Sequence, residues 1–384
     1  MTKTIQFKHF YLYFLLLIIP IQVVAQNSPD SLDHEKGINL FNVVRMSGDW
    51  FIAYRDGIAQ TQADEVSPSV RNHESEFVLK RSYFTLEKDL NDIFSVRYTM
   101  DLTVDTEGDD AGNIETRLKY LYVKVKPRIK SDDIQNTWIE AGMVHEPWLD
   151  YEQKINTYRV QDNMFIERNQ IMSSADFGVT IGGNIGPAMD KQFLQEVNGS
   201  MQGKWFSYVV GIYNGAGYSG KEVNNNRVIS GRFSFRPFAN IFPELQVSTY
   251  FATGKGNSEF NPEYNQFLGF IAYTGKHLTL TAQGHTGKGD FRARYVQENN
   301  PEIALKNGGY SFFGEYKIPK TNFAIWGRYD NFKVQDTENI ITKRHIGGVT
   351  YRINQYLRLI GNVEHTLIDK EKHNIYELNL EVSF

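Results

Sequence analysis

Basic side chains recur on the polar faces of segments that alternate polar and apolar residues. Lys80, Arg97, Arg232, Arg236, Arg328, Arg352 and Arg358 occupy such faces, and Lys154, Arg159, Glu167 and Arg168 cluster in a long stretch between two of the segments. Guanidinium and ammonium groups facing water offer charge-assisted hydrogen bonds to an oxyanion that is losing its hydration shell, which is the chemistry of recognition and passage. Asp101, Glu140, Asp330 and Glu377 face the same way, so each cation taken singly also has the plainer role of pairing with a neighbouring carboxylate. Bond-making chemistry finds little material. The nine histidines form no His-Glu-x-x-His pattern, there is no Gly-x-Ser-x-Gly elbow, and the absence of cysteine excludes thiolate sites, disulfides and a Cys-acylated anchor. The Gly-Lys-Gly clusters at 254–257 and 284–290 open no helix and read as loop tips, so no cofactor and no metal site is expected.

The elements that must position these charges have a period of two. Phe94-Val96-Tyr98-Met100-Leu102 stands against Ser95-Arg97-Thr99-Asp101, and Phe323-Ile325-Gly327-Tyr329 stands against Ala324-Trp326-Arg328-Asp330. The last residues repeat the pattern, with Tyr376, Leu378, Leu380, Val382 and Phe384 on one face and Glu377, Asn379, Glu381 and Ser383 on the other. At the other end Lys3 and Lys8 precede the apolar run Phe10 to Val24, which reads as a signal peptide over 1–25 cleaved after Ala25. Residues 26–47 are then expected as an N-terminal periplasmic segment and 48–384 as the barrel domain. The mean hydropathy of -0.43 and the lack of a second long apolar run exclude a helical membrane protein. They do not exclude a transmembrane barrel, whose two strand faces differ while the average stays unremarkable. An aromatic content of 14% suits girdles at the two membrane interfaces, and 41 basic against 45 acidic residues gives a mildly acidic total with no sign of a nucleic-acid partner.

The connections alternate in length. Short turns at Lys88 to Asn91, Gln202-Gly203, Phe238 to Phe242, Gly275-Lys276, Pro319-Lys320 and Asn354-Gln355 are read as periplasmic. Longer segments between them, such as Asn214 to Asn226, His285 to Gly309, Asp330 to Ile340 and Thr366 to His373, are read as external. Counted back from Phe384, this gives strands near 374–384, 356–366, 342–353, 321–330, 309–318, 277–286, 264–274 and 243–254. The count continues with 227–237, 204–214, 175–184, 136–144, 115–126, 92–104, 76–87 and 48–57. Gln192 to Gly199 is left in a periplasmic connection. The fold class expected is all-β, a transmembrane antiparallel β-barrel of about 16 strands, a size that encloses water rather than packed side chains. Outer-membrane lipid follows as a partner.

The external connection from about His145 to Ala175 carries so many aromatic and charged residues that folding inward, as a constriction loop, is more economical than exposure. The stretch Trp138-Ile-Glu-Ala-Gly-Met-Val-His-Glu-Pro-Trp148, followed by Phe165-Ile-Glu-Arg168 and Phe177-Gly-Val179, resembles the phosphate-selective porin family, as do Phe77-Val-Leu-Lys-Arg-Ser-Tyr83 and Tyr208 to Gly215. That resemblance implies a sixteen-stranded outer-membrane channel without enzymatic activity, a homotrimer, passing small hydrophilic solutes or anions such as phosphate. It singles out Arg168 as the basic residue most directed at an anion and Phe384 as the residue read by the barrel-assembly machinery. Two other classes compete: a barrel hydrolase built on His285 or His365 with a nearby serine, and a secreted glycan-binding β-protein.

Overall fold

The computed structural model describes residues 38–40, 44–57, 74–105, 112–129, 131, 133–336, 339–369 and 371–384. The expected signal peptide and most of the expected periplasmic segment lie outside the described residues. In chain order the strands are β1 (Ile38–Leu40), β2 (Val44–Gly57), β3 (Glu74–Asp89), β4 (Phe94–Val104), β5 (Ile114–Val125), β6 (Ile134–His145), β7 (Ala175–Ile185), β8 (Phe206–Tyr213), β9 (Val228–Phe235) and β10 (Leu245–Lys255). They continue with β11 (Glu263–Thr274), β12 (Leu278–Lys288), β13 (Val296–Gln297), β14 (Asn300–Ala304), β15 (Lys306–Lys317), β16 (Phe323–Gln335), β17 (Asn339–Arg352), β18 (Leu357–Ile368) and β19 (Glu371–Ser383). The short helices are α1 (Leu149–Gln153), α2 (Phe165–Arg168) and α3 (Lys191–Glu196).

Sixteen of these strands, all but β1, β13 and β14, form one antiparallel wall in which neighbours in sequence are neighbours in space. β19 closes it on β2, from Ile375 opposite Gly57 to Ser383 opposite Asp49. Closure leaves no row of unpaired N–H and C=O groups facing lipid, and that is the requirement a membrane sets. Alternation then sorts the side chains. Ile52, Tyr54, Val179, Ile229, Ile325, Val349 and Leu378 are exposed on the outer face, while Asp101, Ser230, Ser234, Asp330 and Asn379 are fully buried inside. Among the described residues no helix is long and apolar enough to cross a membrane, so the crossing is by strands. A closed barrel with an apolar outer face and a polar interior is an integral protein of the bacterial outer membrane.

All sixteen expected strands are present, but loop length is a looser guide than expected. Strands β16 and β17 extend to Gln335 and from Asn339, and β18 and β19 to Ile368 and from Glu371, so two segments read as long external loops are mostly strand. Cross-strand pairing continues there as far as Gln335 opposite Asn339 and Ile368 opposite Glu371. On the opposite end the connections after β5 and after β7 are long, and the second holds α3, capped by the Asp190 carboxylate accepting from the Phe193 N–H. β2 begins at Val44, inside the stretch expected to be periplasmic.

Candidate functional site

The connection between β6 and β7 turns into the barrel. Its entry depends on Gly142, at φ 130 and hard against the Leu121 carbonyl, where a side chain would be both strained and obstructed. Beyond Pro147 the chain is apolar at Trp148, Leu149, Tyr151, Ile155, Tyr158, Val160 and Met164 to Ile166, and these residues are almost completely buried. Burying each large side chain contributes about 1.5–3 kcal/mol, so a run of this kind folds against a surface rather than standing in water. The surface it finds is the inner wall. Trp148 packs edge-on to Phe270 with ring centres 5.3 Å apart, and Tyr158 stacks on Trp326 at 4.4 Å.

Polar contacts fasten the same loop around half the circumference. The Tyr151 hydroxyl meets Ser248 Oγ at 2.8 Å, Tyr158 donates to Glu315 at 2.8 Å, and Gln161 Nε2 donates to Glu364 at 2.9 Å. The Arg168 guanidinium clasps Glu364 with two bonds of 2.6 and 2.9 Å and reaches Asp162 at 3.2 Å. Burial opposes the charge of Arg168, but Asp162 and Glu364 outweigh it and hold the guanidinium above its ordinary pKa. Burial pushes the Glu152 carboxyl up to about 7, against hydrogen bonds from Gln283 and Trp148 that work the other way.

The cations foreseen from alternation mostly serve this fastening. Lys80 pairs with Glu377 at 2.8 Å and donates to the Gln161 carbonyl. Arg328 pairs with Asp330 and donates to the Asn163 carbonyl at 3.0 Å, while Arg358 pairs with Glu381 at 2.6 Å and holds the Thr157 carbonyl at 2.7 Å. Arg232 lies 4.2 Å over the Tyr151 ring and donates to the Pro147 carbonyl. Arg97 pairs with Glu87 at 3.3 Å and Lys154 with Asp150 at 3.3 Å. Arg236 departs from the expected lumen lining: it is fully buried and donates to the carbonyls of Met201, Gly203 and Pro243, which fixes the periplasmic connection after β7. Arg352 is exposed at the end of β17.

A different cluster lines the wall that the loop leaves open. Arg81 and Arg117 both reach the same oxygen of Asp101, at 3.2 and 3.1 Å, and the Tyr218 hydroxyl donates to it at 3.0 Å. Lys119 Nζ sits 4.1 Å from the centre of the Tyr83 ring and makes no ion pair among the described residues. Arg159 approaches the Tyr83 hydroxyl at 3.5 Å from the loop side, and its Nε finds no acceptor. Two β-bulges build this group. The register between β2 and β3 shifts beside Phe51 and Ile52, so Lys80 has no partner and Lys80 and Arg81 both turn inward. The register between β4 and β5 shifts at Thr99 and Met100, which makes Lys119 the extra residue. Strict alternation hides both, and Arg81 and Lys119 escaped the sequence reading for that reason. Below this cluster opens a cavity of about 810 Å³ in which Lys124 faces Glu140 and Lys154 faces Asp150.

No protein-family model matches the chain, and no curated protein matches it. Solved structures do. An anion-selective porin from Comamonas acidovorans superposes with a TM-score of 0.58 at 11% identity, covering 89% of this chain and 99% of that one. The fold is that of an outer-membrane porin. OmpF of Salmonella typhi, solved with daunomycin, gives 0.57 at 11% identity over 90% of this chain and 99% of its own. OmpT of Vibrio cholerae gives 0.55 at 10% identity over 89% and 97%.

The positions proposed for a hydrolase do not assemble. His285 is buried between Phe165 and Phe332 beside Asn307, and His365 lies on the lipid face against Asn374 at 2.7 Å.

Proposed function

We infer that the protein is a diffusion channel for small hydrophilic solutes that favours anions, phosphate and similar oxyanions among them, and that it works as a homotrimer. The loop narrows the barrel from one side, and the surviving path runs between it and β3–β6. One observation carries the preference: Arg81, Arg117, Lys119 and Arg159 converge on that path and outnumber the described carboxylates that face them, namely Asp101 between Arg81 and Arg117, Glu115 beside Arg117, and Glu167 near Arg81 and Arg159. An entering oxyanion exchanges water for donors that the protein leaves partly unused, and the adjoining Tyr83 hydroxyl adds one more. The anion-selective neighbour supports the fold alone at its low identity, so the preference rests on these side chains. The resemblance to phosphate-selective porins agrees with it, although Arg168 acts through the loop and not at the path.

Single-channel recording in a potassium chloride gradient tests the reading. The reversal potential should have the sign of an anion-preferring pore and move toward cations in the Arg81→Gln, Lys119→Gln double variant, with the anion-to-cation permeability ratio falling several-fold. A reversal potential indifferent to both substitutions would refute the assignment. Added phosphate should reduce chloride current in the parent and lose that effect in the variant.

A further inference from the structure

The outer face of strands β15 to β19 carries a feature that permeation does not use. Near the external end, Lys306, Lys333, Lys343 and Lys372 all point outward, as shown by their phase with the exposed Phe312, Ile325, Val349 and Tyr376. Register makes them neighbours: Lys333 lies opposite Gly308, Lys343 opposite Asn331 and Leu367, and Lys372 opposite Leu367. No described carboxylate forms an ion pair with any of the four. Like charges brought this close repel one another unless something anionic sits among them.

Directly toward the membrane centre comes a belt of amphipathic rings. Tyr329 and His345 are 4.7 Å apart, and His345 stands opposite His365. Such rings prefer the boundary between headgroups and acyl chains, which sets the lysines at headgroup level. Beneath the belt the wall is hollowed into a groove of about 720 Å³, with Leu280, Phe312 and Val363 as its sides. Its floor is Gly314, Gly327 and Gly347, aligned across three strands. The chain's own packing does not demand glycine at two of them, because a Cβ at Gly327 or Gly347 would meet nothing closer than 3.5 and 3.7 Å. The room lies on the lipid side.

We propose that this face binds a phosphate-bearing, multi-acyl lipid of the external leaflet, with an acyl chain in the groove under His345 and its phosphates among the four lysines. Gly347 and Lys343 are four residues apart on one face, roughly 13 Å along the strand, so groove and charges are spaced as tail and headgroup of one molecule. Charge complementarity selects this occupant, because a phosphate-bearing headgroup supplies the negative charge that the four neighbouring lysines lack on their own wall. The inference is independent of what passes through the barrel.

The full chain, purified in a zwitterionic detergent, would be analysed by native mass spectrometry with a diphosphoryl, hexa-acylated glucosamine disaccharide lipid, with the same lipid stripped of phosphate, and with phosphatidylcholine. The diphosphoryl lipid should be retained and the other two lost. Changing all four lysines to glutamine should lower retention at least about tenfold, and Gly327→Leu, which fills the groove, should lower it while the heat-modifiable mobility of the folded barrel stays unchanged. If Gly327→Leu fails to fold, the lysine variant still decides. Equal retention with and without phosphate would overturn the proposal. So would displacement by inorganic phosphate alone, which marks a free-anion site, or a Gly327→Leu variant that loses oligomers but keeps lipid, which marks an interface between copies.

Discussion

The wall behind the loop and the wall facing it are built from the same kind of strand, yet they use their cations differently. On the covered side the buried cations are tied down one by one: Arg328 by Asp330, Arg358 by Glu381, Lys80 by Glu377 across the seam and Arg168 of the loop by Glu364, while Arg232 and Arg236 donate to backbone carbonyls and Arg344 to Asn169. On the open side Arg81 and Arg117 share Asp101, with Glu115 a further 3.6 Å partner of Arg117, and Lys119 leans on aromatic rings instead. A buried charge is tolerable only when protein groups replace its hydration, so cations held by carboxylates and carbonyls mark where water is excluded. Where cations outnumber their acids, water or a solute completes the shell. The contrast therefore separates scaffold from path using the same residue types.

The largest effect should come from the covered side. Trp148→Ala removes the most buried aromatic ring of the loop and should cost about 3–5 kcal/mol of docking energy; limited proteolysis would show cleavage within 149–166 in an otherwise folded barrel, and continued protection would mean that the loop is held by polar contacts alone. Next, Arg168→Ala strands Glu364 without its partner, at a similar nominal cost of about 3–5 kcal/mol but confined to one end of the loop. Conductance should become larger and noisier with little change in selectivity, and the double change Arg168→Met, Glu364→Gln should restore quiet channels. A selectivity change as large as that of the Arg81, Lys119 variant would instead place Arg168 on the path.

A smaller effect concerns pH. The Glu152 carboxyl is raised from 4.5 to about 7 in the folded loop, so the docked state binds its proton more tightly than the undocked one. The resulting stabilisation is fully present below about pH 4.5 and is lost as pH rises through about 7. Hydrogen exchange of the loop should be slower at pH 5 than at pH 8, and Glu152→Gln should flatten that difference. Smallest of all, Arg352→Gln at the exposed end of β17 should alter stability by less than about 0.5 kcal/mol and leave the reversal potential unchanged.

The barrel was legible because alternation is local: Val349, Thr350 and Tyr351 reveal their faces without any knowledge of their neighbours. The inward course of the loop was legible for a similar reason, since Trp148, Tyr151 and Phe165 lie too close in sequence to be left in water. What alternation cannot encode is an extra residue. The bulges beside Lys80 and at Lys119 each break the period once, and the consequence was to hide Arg81 and Lys119, half of the open-side cluster. Nor can one strand reveal its partner's carboxylate, so Arg358 looked as available as Arg159 until Glu381 was seen across the ladder. Arg236 misled because strand phase describes the backbone, whereas its long side chain bends back to three carbonyls at the barrel's rim.

The seam where β19 meets β2 also bears on how the ring is made. Each other pairing in the wall joins strands that follow one another along the chain, and can form as soon as a hairpin closes. This one brings together opposite ends of the wall, so its entropic cost is that of the longest loop in the molecule. Until it forms, two raw edges face the surrounding lipid. The ladder between Gly48 and Phe384 and the edge-on contact of Trp50 with the Phe384 ring, 5.4 Å between centres, thus act as a latch set last. Gly48 has no room for a Cβ because that ring occupies it. A bulkier residue there would leave the hairpins intact and hold the circle open.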